Sequence, residues 1–252
     1  MNERDFKPSY MAQRSDIEKL VFPNTRSVLD VGCSTGTLGA AIKARTGAQV
    51  FGIELSQEMA QVASAHLDKV FVGDAAEIIL QGKIQDLKFN TIIFADVLEH
   101  LADPWAVLEG AVKYLDQDGT IIASIPNIRH ISTLYSLVVK GYWPYRERGV
   151  HDKTHLRFFT KRNIFELFEN ADLSIDRIKV NYRIIERPHR LNRFARFLAI
   201  PGLRDFIAFQ YLIRARATIV NPAPVKVGAD DNSHGAETGN VLRAKSSSSL
   251  HT

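Results

Sequence analysis

Between Arg26 and Ser124, short runs of β-branched and apolar residues alternate with longer stretches in which apolar residues recur every three or four positions. The short runs are typical of buried strands and the longer stretches of amphipathic helices. The predicted strands are Ser27–Val31, Gln49–Ile53, Lys69–Val72, Thr91–Ala95 and Thr120–Ser124, and the predicted helices are Thr37–Arg45, Ser56–His66, Ala75–Gln81 and Pro104–Leu115. This alternation predicts βαβ units and an α/β fold with a doubly wound parallel sheet.

Two further strands are predicted in the second half of the chain. Leu173–Tyr182 and Gln210–Thr218 read as a closing pair, so the predicted sheet is mostly parallel and seven-stranded. Residues 126–160 follow the fifth strand and are predicted to form a lid insertion at the ligand-binding edge of the sheet.

A second insertion is predicted at residues 187–203. From Pro188 to Ile200, apolar residues fall on one helical arc and basic residues on the other, which predicts a basic amphipathic helix. Such a helix could pack on its own domain or lie on an anionic membrane surface. We expect one domain over residues 1–220, whereas residues 221–252 turn to Pro, Gly, Asp, Asn and Ser and are predicted to be a disordered tail.

Composition narrows the class of protein. The chain has 252 residues, of which 45% are hydrophobic and 24% charged, as in ordinary globular proteins. Its single cysteine, Cys33, excludes an intramolecular disulfide framework, and its first ten residues lack the apolar run of a signal peptide, so we expect a cytoplasmic protein. Basic residues concentrate between Lys140 and Arg216, which indicates either an anionic partner or a solvated basic surface.

The first strand leads directly into a glycine-containing loop. In VLDVGCSTGTLG, from Val28 to Gly39, the strand is followed by Gly32 and Gly36 and then by a helix, a geometry that brings a ligand against backbone N–H groups. Ser34 stands where a dinucleotide-binding loop has its second glycine, and no Lys follows Gly36 as in a P-loop. Asp30 suits a cationic ligand, such as one with an ammonium and a sulfonium group.

Two more carboxylates follow at the ends of the next strands. Glu54 ends the second strand, where it could accept hydrogen bonds from both hydroxyls of a ribose, and Asp74 follows the third strand, within reach of an adenine amino group. The carboxyl ends of parallel strands share one edge of a sheet, so Asp30, Glu54 and Asp74 are predicted to line one ligand site.

The motifs DVGCSTG, the strand ending in Glu54, Gly73-Asp74-Ala75 and ADVLEHLADP at Ala95–Pro104 together resemble class I S-adenosylmethionine-dependent methyltransferases. The resemblance runs from about Arg26 to Ser124 and implies a Rossmann-like methyltransferase fold. The residues that it assigns to the cofactor are the following. Asp30, Gly32 and Gly36 would hold the methionine part, Glu54 the ribose and Asp74 with Ala75 the adenine, while Leu55 would pack on the adenine face. Cys33 and Asp96 are further predicted cofactor-binding residues.

Methyl transfer to a hydroxyl requires alignment of the acceptor and removal of a proton, for which histidine is the natural base. We select His155 as base or orienting group, with His151 as the alternative and Asp152 as partner, and His100 as a further candidate that could instead belong to helix packing. If their segment is helical, His151 and His155 share one face. Their spacing could also hold a metal, but no third ligand is evident nearby and we predict no metal.

The aromatic and basic residues of the lid fit several acceptors. The segment PNIRH, the Trp143 region and HDKTH-x-RFFT resemble, more loosely, methyltransferases of polysaccharide and sugar biosynthesis. The leading hypothesis is therefore O-methylation of a sugar or glycan acceptor, which could be lipid-linked and bring the protein to the inner face of a membrane. The alternatives are a small phenol or quinone precursor, an RNA, for which nucleic-acid binding is less favoured, and a cofactor-binding scaffold without catalysis.

Overall fold

The computed structural model describes residues 13–187 and 189–218, and the predicted tail at 221–252 lies outside them. Seven strands form one sheet: β1 Ser27–Val31, β2 Gln49–Glu54, β3 Lys69–Val72, β4 Phe89–Ala95, β5 Leu115–Pro126, β6 Leu173–Tyr182 and β7 Ala208–Ala217. Their order is β3-β2-β1-β4-β5-β7-β6. The first five strands pair in parallel, whereas β7 is antiparallel to both β5 and β6. The predicted doubly wound, mostly parallel sheet is confirmed.

Helices cover the sheet on both faces. They are α1 Ser15–Glu18, α2 Thr37–Thr46, α3 Gln57–Ala63, α4 Ala75–Leu80, α5 Pro104–Val112, α6 Ile131–Leu134, α7 Lys161–Asn170 and α8 Arg204–Ile207. Side-chain caps fix the first residue of several of them: Ser56 opens α3, Asp103 opens α5 with Pro104 behind it, and Thr160 forms a capping box with Asn163 at α7. Within residues 13–187 and 189–218, no helix is long and apolar enough to cross a membrane.

Two apolar clusters fill the space between the sheet and its helices. The larger lies between the sheet and α4, α5 and α7 and includes Phe89, Phe94 and Phe168, all completely buried. The smaller lies on the other face and contains Ile17 of α1, Ile42 of α2 and Cys33 of the loop after β1. Because both faces are covered, the central strands are continuous apolar runs.

The insertion between β6 and β7 differs from its prediction. The predicted basic amphipathic α-helix is wrong for the described residues of this segment, where Arg190–Phe194 form a 3-10 helix followed by turns. Asn192 explains the difference, because its side chain accepts hydrogen bonds from the Ile184 and Ile185 amides and donates to the Ile185 carbonyl. These bonds fold the segment back on itself. Contact with a membrane stays a prediction.

Residues 127–160, between β5 and α7, form the insertion that was predicted over residues 126–160, here called the lid segment. It contains α6 and a π-helical turn at Tyr135–Val139, and then runs without α-helix or strand to Thr160. The conditional expectation that His151 and His155 share a helical face therefore does not apply. Buried Asn127 anchors the start of the segment by donating to the carbonyls of Asp205 and Ala208, at 2.8 and 2.7 Å.

Candidate active site

The loop between β1 and α2 turns through left-handed backbone conformations that need glycine. Gly32 has φ +69° and Gly36, at the N-terminus of α2, has φ +80°. A Cβ on Gly32 would lie 2.7 Å from a methyl carbon of Val97, and the Gly32 amide donates to the Ile53 carbonyl at 2.8 Å. Glycine thus serves both the turn and the close packing of the loop against the segment after β4.

Ser34, which departs from the commonest glycine of this motif, also has positive φ, at 52°. Its amide donates to Glu54 Oε2 at 2.8 Å, and this bond helps to hold a non-glycine residue in the left-handed region. The departure is therefore accommodated by an interaction with the next strand.

Glu54 joins the loops that follow β1 and β2. Its second oxygen, Oε1, accepts from the Ser56 amide at 2.9 Å, and the side chain lies almost buried at the end of β2. A carboxylate has about four acceptor positions, so two amide hydrogen bonds leave capacity for the two hydroxyls of a ribose. The predicted ligand residue is thus also a structural clamp.

Asp30 lies beneath the loop, only 1% exposed. Its Oδ2 atom has no hydrogen-bond partner among the described residues. Burial, together with the negative charge of Glu54, raises the pKa of Asp30 to about 7, and the charge of Arg14 opposes the shift. An unpaired buried carboxylate is the group that a cationic ligand portion or an ordered water would satisfy.

Cys33 contributes its backbone rather than its thiol to the loop. Its amide donates to the Ile53 carbonyl at 3.0 Å, while Sγ points inward, 2.5 Å from where a Cβ on Gly52 would stand. The side chain is 4% exposed, and burial raises the pKa of the thiol. The thiol is thus an apolar filler under the loop.

The residues predicted for the adenine lie at the rim of the same edge. Asp74 is exposed and accepts from the Glu77 amide at 3.1 Å as the N-cap of α4, so that Ala75 is the first residue of this helix. Leu55 is 71% exposed, although it is a large apolar residue directly after Glu54. An exposed leucine beside a carboxylate is available to cover an apolar ring face.

Asp96 is a junction between distant parts of the chain. It has φ +59°, and its carboxylate accepts from Ser124 Oγ at 2.8 Å and from the side chains of Arg14 and Gln210. Sequence reasoning missed Arg14 and Gln210, because no local pattern links residues so far apart in the chain. The junction ties the segment before α1 to the ends of β4, β5 and β7.

A second group missed from the sequence is Glu99, one residue after Leu98 in the turn that follows β4. Glu99 is 1% exposed, and neither carboxylate oxygen has a hydrogen-bond partner among the described residues. The sequence signal is a carboxylate next to His100 and flanked by apolar residues in the stretch VLEHL. Burial and the nearby charge of Asp96 raise the pKa of Glu99 well above its ordinary value.

His155 of the lid segment lies beside Glu99. Its Nε2 atom is 4.0 Å from Glu99 Oε1, and its ring stands edge-on to that of His100 with centroids 4.7 Å apart. Burial and His100 lower the pKa of His155. The backbone carbonyl of Glu99 accepts from the amides of residues 156 and 157, which holds the lid segment against the turn.

Glu99, His100 and His155 could together hold a metal ion. One ligand atom each from Glu99, His100 and His155 lies within 4.8 Å of the others. The sequence had drawn attention to His151 with His155 instead. In this structure His100 Nδ1 is engaged by Thr154, 3.1 Å from its hydroxyl and 3.2 Å from its carbonyl.

His151 is placed apart from this group and is completely buried. Its Nδ1 lies 3.3 Å from Glu186 Oε2, and Trp143 packs edge-on against its ring with centroids 5.0 Å apart. Glu186 also accepts from Arg146 and from the Val150 amide. Gly149, at φ +91°, is required here, since a Cβ would lie 2.5 Å from Glu186 Oε1.

The residues of the β1 edge fit S-adenosylmethionine. Asp30 offers a buried carboxylate whose Oδ2 atom has no partner among the described residues, and Glu54 keeps free acceptor capacity. Gly32 is exposed and has no side chain to cover its backbone. The chemistry of this donor set matches a cationic nucleoside with two ribose hydroxyls.

Comparison with known proteins agrees with this geometry. The sequence pattern of a family described as "Methyltransferase domain" matches residues 7–178. A ubiquinone biosynthesis O-methyltransferase of Psychrobacter cryohalolentis is 27% identical over 178 residues, which cover 68% of this chain and 68% of the relative. That of Idiomarina loihiensis is 32% identical over 155 residues, which cover 59% of this chain and only 61% of the relative.

Solved structures agree in fold. A methyltransferase of Archaeoglobus fulgidus described as SAM-dependent superposes with a TM-score of 0.57 at 15% identity, covering 86% of this chain and all of that chain. Magnesium protoporphyrin IX methyltransferase of Synechocystis PCC 6803, solved with bound SAH, gives 0.55 at 18% identity, covering 81% and 80%. The match of the family pattern to more than half of the chain shows that it belongs to the class I S-adenosylmethionine-dependent methyltransferases.

Proposed function

We propose that this methyltransferase methylates a hydroxyl group of a small aromatic acceptor of the quinone-precursor type. The observation that carries the proposal is the buried pair of Glu99 and His155 beside Asp96, where the lid segment meets the turn after β4. The names of the curated relatives support a small-molecule acceptor. They favour the phenol or quinone alternative over the sugar or glycan acceptor that the lid sequence first suggested.

The cofactor is assigned to the β1 edge. Asp30 and the backbone of Gly32, Cys33 and Gly36 face the methionine portion, and Glu54 binds the ribose hydroxyls. Asp74, Ala75 and Leu55 enclose the adenine, and Asp96 closes the site on the acceptor side. When bound, S-adenosylmethionine supplies an electrophilic methyl group that an aligned oxygen displaces in line.

His155 is assigned as the base. Its lowered pKa keeps the imidazole neutral near pH 7, as a proton acceptor requires. Burial and the charge of Asp96 raise the pKa of Glu99 well above its ordinary value, which favours the neutral form of this buried carboxyl group. His100 and Asp152 position His155 through Thr154, which contacts both.

His151 is assigned a positioning role. Its complete burial and its contact with Glu186 keep it from an acceptor unless the lid segment opens. We assign the lid segment as the acceptor lid of a single methyltransferase domain over residues 1–220.

The first experiment is calorimetric titration with S-adenosylmethionine and its demethylated product, with NAD as the control ligand. We expect both ligands to bind, and we expect Glu54→Ala to weaken their binding at least tenfold. The variant loses the carboxylate that would accept hydrogen bonds from the ribose hydroxyls and that holds the loops after β1 and β2 together. Glu58→Ala removes an exposed carboxylate of α3 nearby and should leave binding unchanged. Tighter binding of NAD would refute the cofactor assignment.

The acceptor is tested with matched panels of catechols and sugar nucleotides, scored by transfer of a labelled methyl group. Methylated catechols with inert sugar nucleotides are the expected result. Transfer to sugar nucleotides alone would replace the aromatic acceptor with the sugar-type one.

A further inference from the structure

A polar cavity of about 430 Å³ opens between the end of β6 and the following insertion. It is lined by Val180, Asn181, Tyr182, Arg183, Asn192, Arg193 and Arg196. The volume is within the range of pockets that take small organic ligands. The cofactor and base assignments above use none of these side chains.

Among the described residues that line the cavity, three carry guanidinium groups and none has an acidic side chain. Arg183 is held in place, since it donates to the Glu186 carbonyl at 3.0 Å and stacks 4.2 Å over the Phe209 ring. Asp16 bonds to Asn181 at the back of the cavity, but its carboxylate is already paired with Arg14 at 3.0 Å. The described lining residues therefore present a net positive charge to the cavity, with Arg183 held in place and Arg193 and Arg196 at exposed positions.

The cavity lies on the acceptor side of the ligand edge. Because β7 is antiparallel to β5 and β6 to β7, the end of β6 reaches the same edge as the end of β5. Asn181 of β6 donates to Gln210 at 3.2 Å, and Gln210 donates to Asp96. Two side-chain contacts thus connect the cavity to the acceptor side of the site.

We infer that this cavity binds an anionic group of the methyl acceptor, a carboxylate or a phosphate monoester, through Arg193 and Arg196 with Arg183 behind them. The planar guanidinium fork matches both anions. The inference rests on the proposed function and deepens it, since it specifies an acidic rather than a neutral aromatic acceptor.

The test compares two acceptors of nearly equal shape, 3,4-dihydroxybenzoate and the neutral 3,4-dihydroxybenzamide. In the unaltered protein we expect the acid to have the higher kcat/KM. In the double variant Arg193→Gln, Arg196→Gln, the ratio of acid to amide should fall about tenfold, through KM. Arg190→Gln removes one charge from the same 3-10 helix without touching the cavity and should keep the ratio. An unchanged ratio in the double variant, or an equal fall in the control, would overturn the inference.

A binding measurement without methyl donor separates this inference from the proposed function. We expect 3,4-dihydroxybenzoate or 3,4-dihydroxybenzyl phosphate to raise the Tm of the unaltered protein but not of the double variant, and the stronger of the two identifies the anion. If no catechol is methylated, the proposed function fails. The Tm shifts still show whether the cavity binds an anionic ligand. If neither acid shifts the Tm, or if the double variant loses only affinity for phosphatidylglycerol vesicles, the cavity does not bind an acceptor anion.

Discussion

Asp30 illustrates how one buried carboxylate couples protonation to stability. Its pKa is about 7 in the folded chain, against 3.8 for the free side chain. The folded state therefore binds the proton more tightly, so that the contribution of Asp30 to stability is full below pH 4 and is lost as pH rises through 7.

We predict that Asp30→Asn removes this loss. Without cofactor, the unfolding free energy of the variant relative to the native protein should increase between pH 5 and about 7 and then level off. Between pH 5 and 7 the increase is on the order of 3 kcal/mol, at about 1.4 kcal/mol per pH unit. Denaturant unfolding at a series of pH values measures it, and a difference independent of pH would contradict the burial of an unpaired Asp30 carboxylate.

The proposed role of His155 as the base leads to a prediction about kcat and its pH dependence. His155→Gln should lower kcat about 10²–10³-fold and leave the Kd of S-adenosylmethionine unchanged, because the residue lies outside the β1 loop. In the native protein, the acid limb of kcat/KM should lie below pH 6.5, in keeping with the lowered pKa of His155, and it should disappear in the variant. His66→Gln, at an exposed position after α3, is the control. Full activity of His155→Gln would transfer the role of base to another group.

At the scale of elements, Glu186 fastens the lid segment. The hydrogen bond to His151 and the charge of Arg146 outweigh burial and lower the pKa of Glu186. Its stabilising effect is therefore present above its ordinary pKa of 4.5 and is lost as pH falls through the lowered value.

Glu186→Ala should accelerate amide hydrogen exchange in residues 146–153 and cost about 2 kcal/mol, less than a fully buried ion pair because Arg146 is partly exposed. Glu169→Ala, on the exposed face of α7, should change neither quantity. Unchanged exchange in the lid segment of the Glu186 variant would show that other contacts hold the lid.

The elements also show what the sequence could reveal. Alternation of apolar residues predicted β6 at Leu173–Tyr182 with the bounds found in the structure. The helical periodicity of residues 189–200 gave a wrong prediction, because hydrogen bonds of one side chain, Asn192, compete with the helix and no hydrophobic pattern records them. The candidate site was likewise only partly predictable from the sequence. Carboxylates at strand ends are visible in the sequence, whereas the meeting of Glu99 with His155 depends on the path of the lid segment.

At the scale of the whole molecule, Asp96 connects the segment before α1 to strand β7. Arg14 and Gln210 both bind its carboxylate, and Asp16 and Asn181 extend the network to β6. With the cofactor bound as proposed, beside Asp96, its release would require that some of these contacts open.

We predict that Arg14→Ala accelerates dissociation of the demethylated product at least threefold and destabilises the protein by about 1 kcal/mol, because Arg14 is mostly buried. Arg45→Ala is the matched control, since Arg45 anchors the same α1 through Glu18, away from the ligand edge. It should cost similar stability without changing the dissociation rate measured by stopped flow. Equal acceleration in both variants would assign the effect to loosening of α1.

The inward-pointing thiol under the β1 loop is a natural probe for the opening of this loop. Cys33 is the chain's single cysteine, and it is 4% exposed, so a thiol reagent can reach it only when the loop lifts from β2. Its labelling rate thus reports the frequency of that opening, without any engineered probe. If cofactor binding holds the loop closed, added cofactor should slow the labelling of Cys33. The mass of the intact chain measures the labelled fraction.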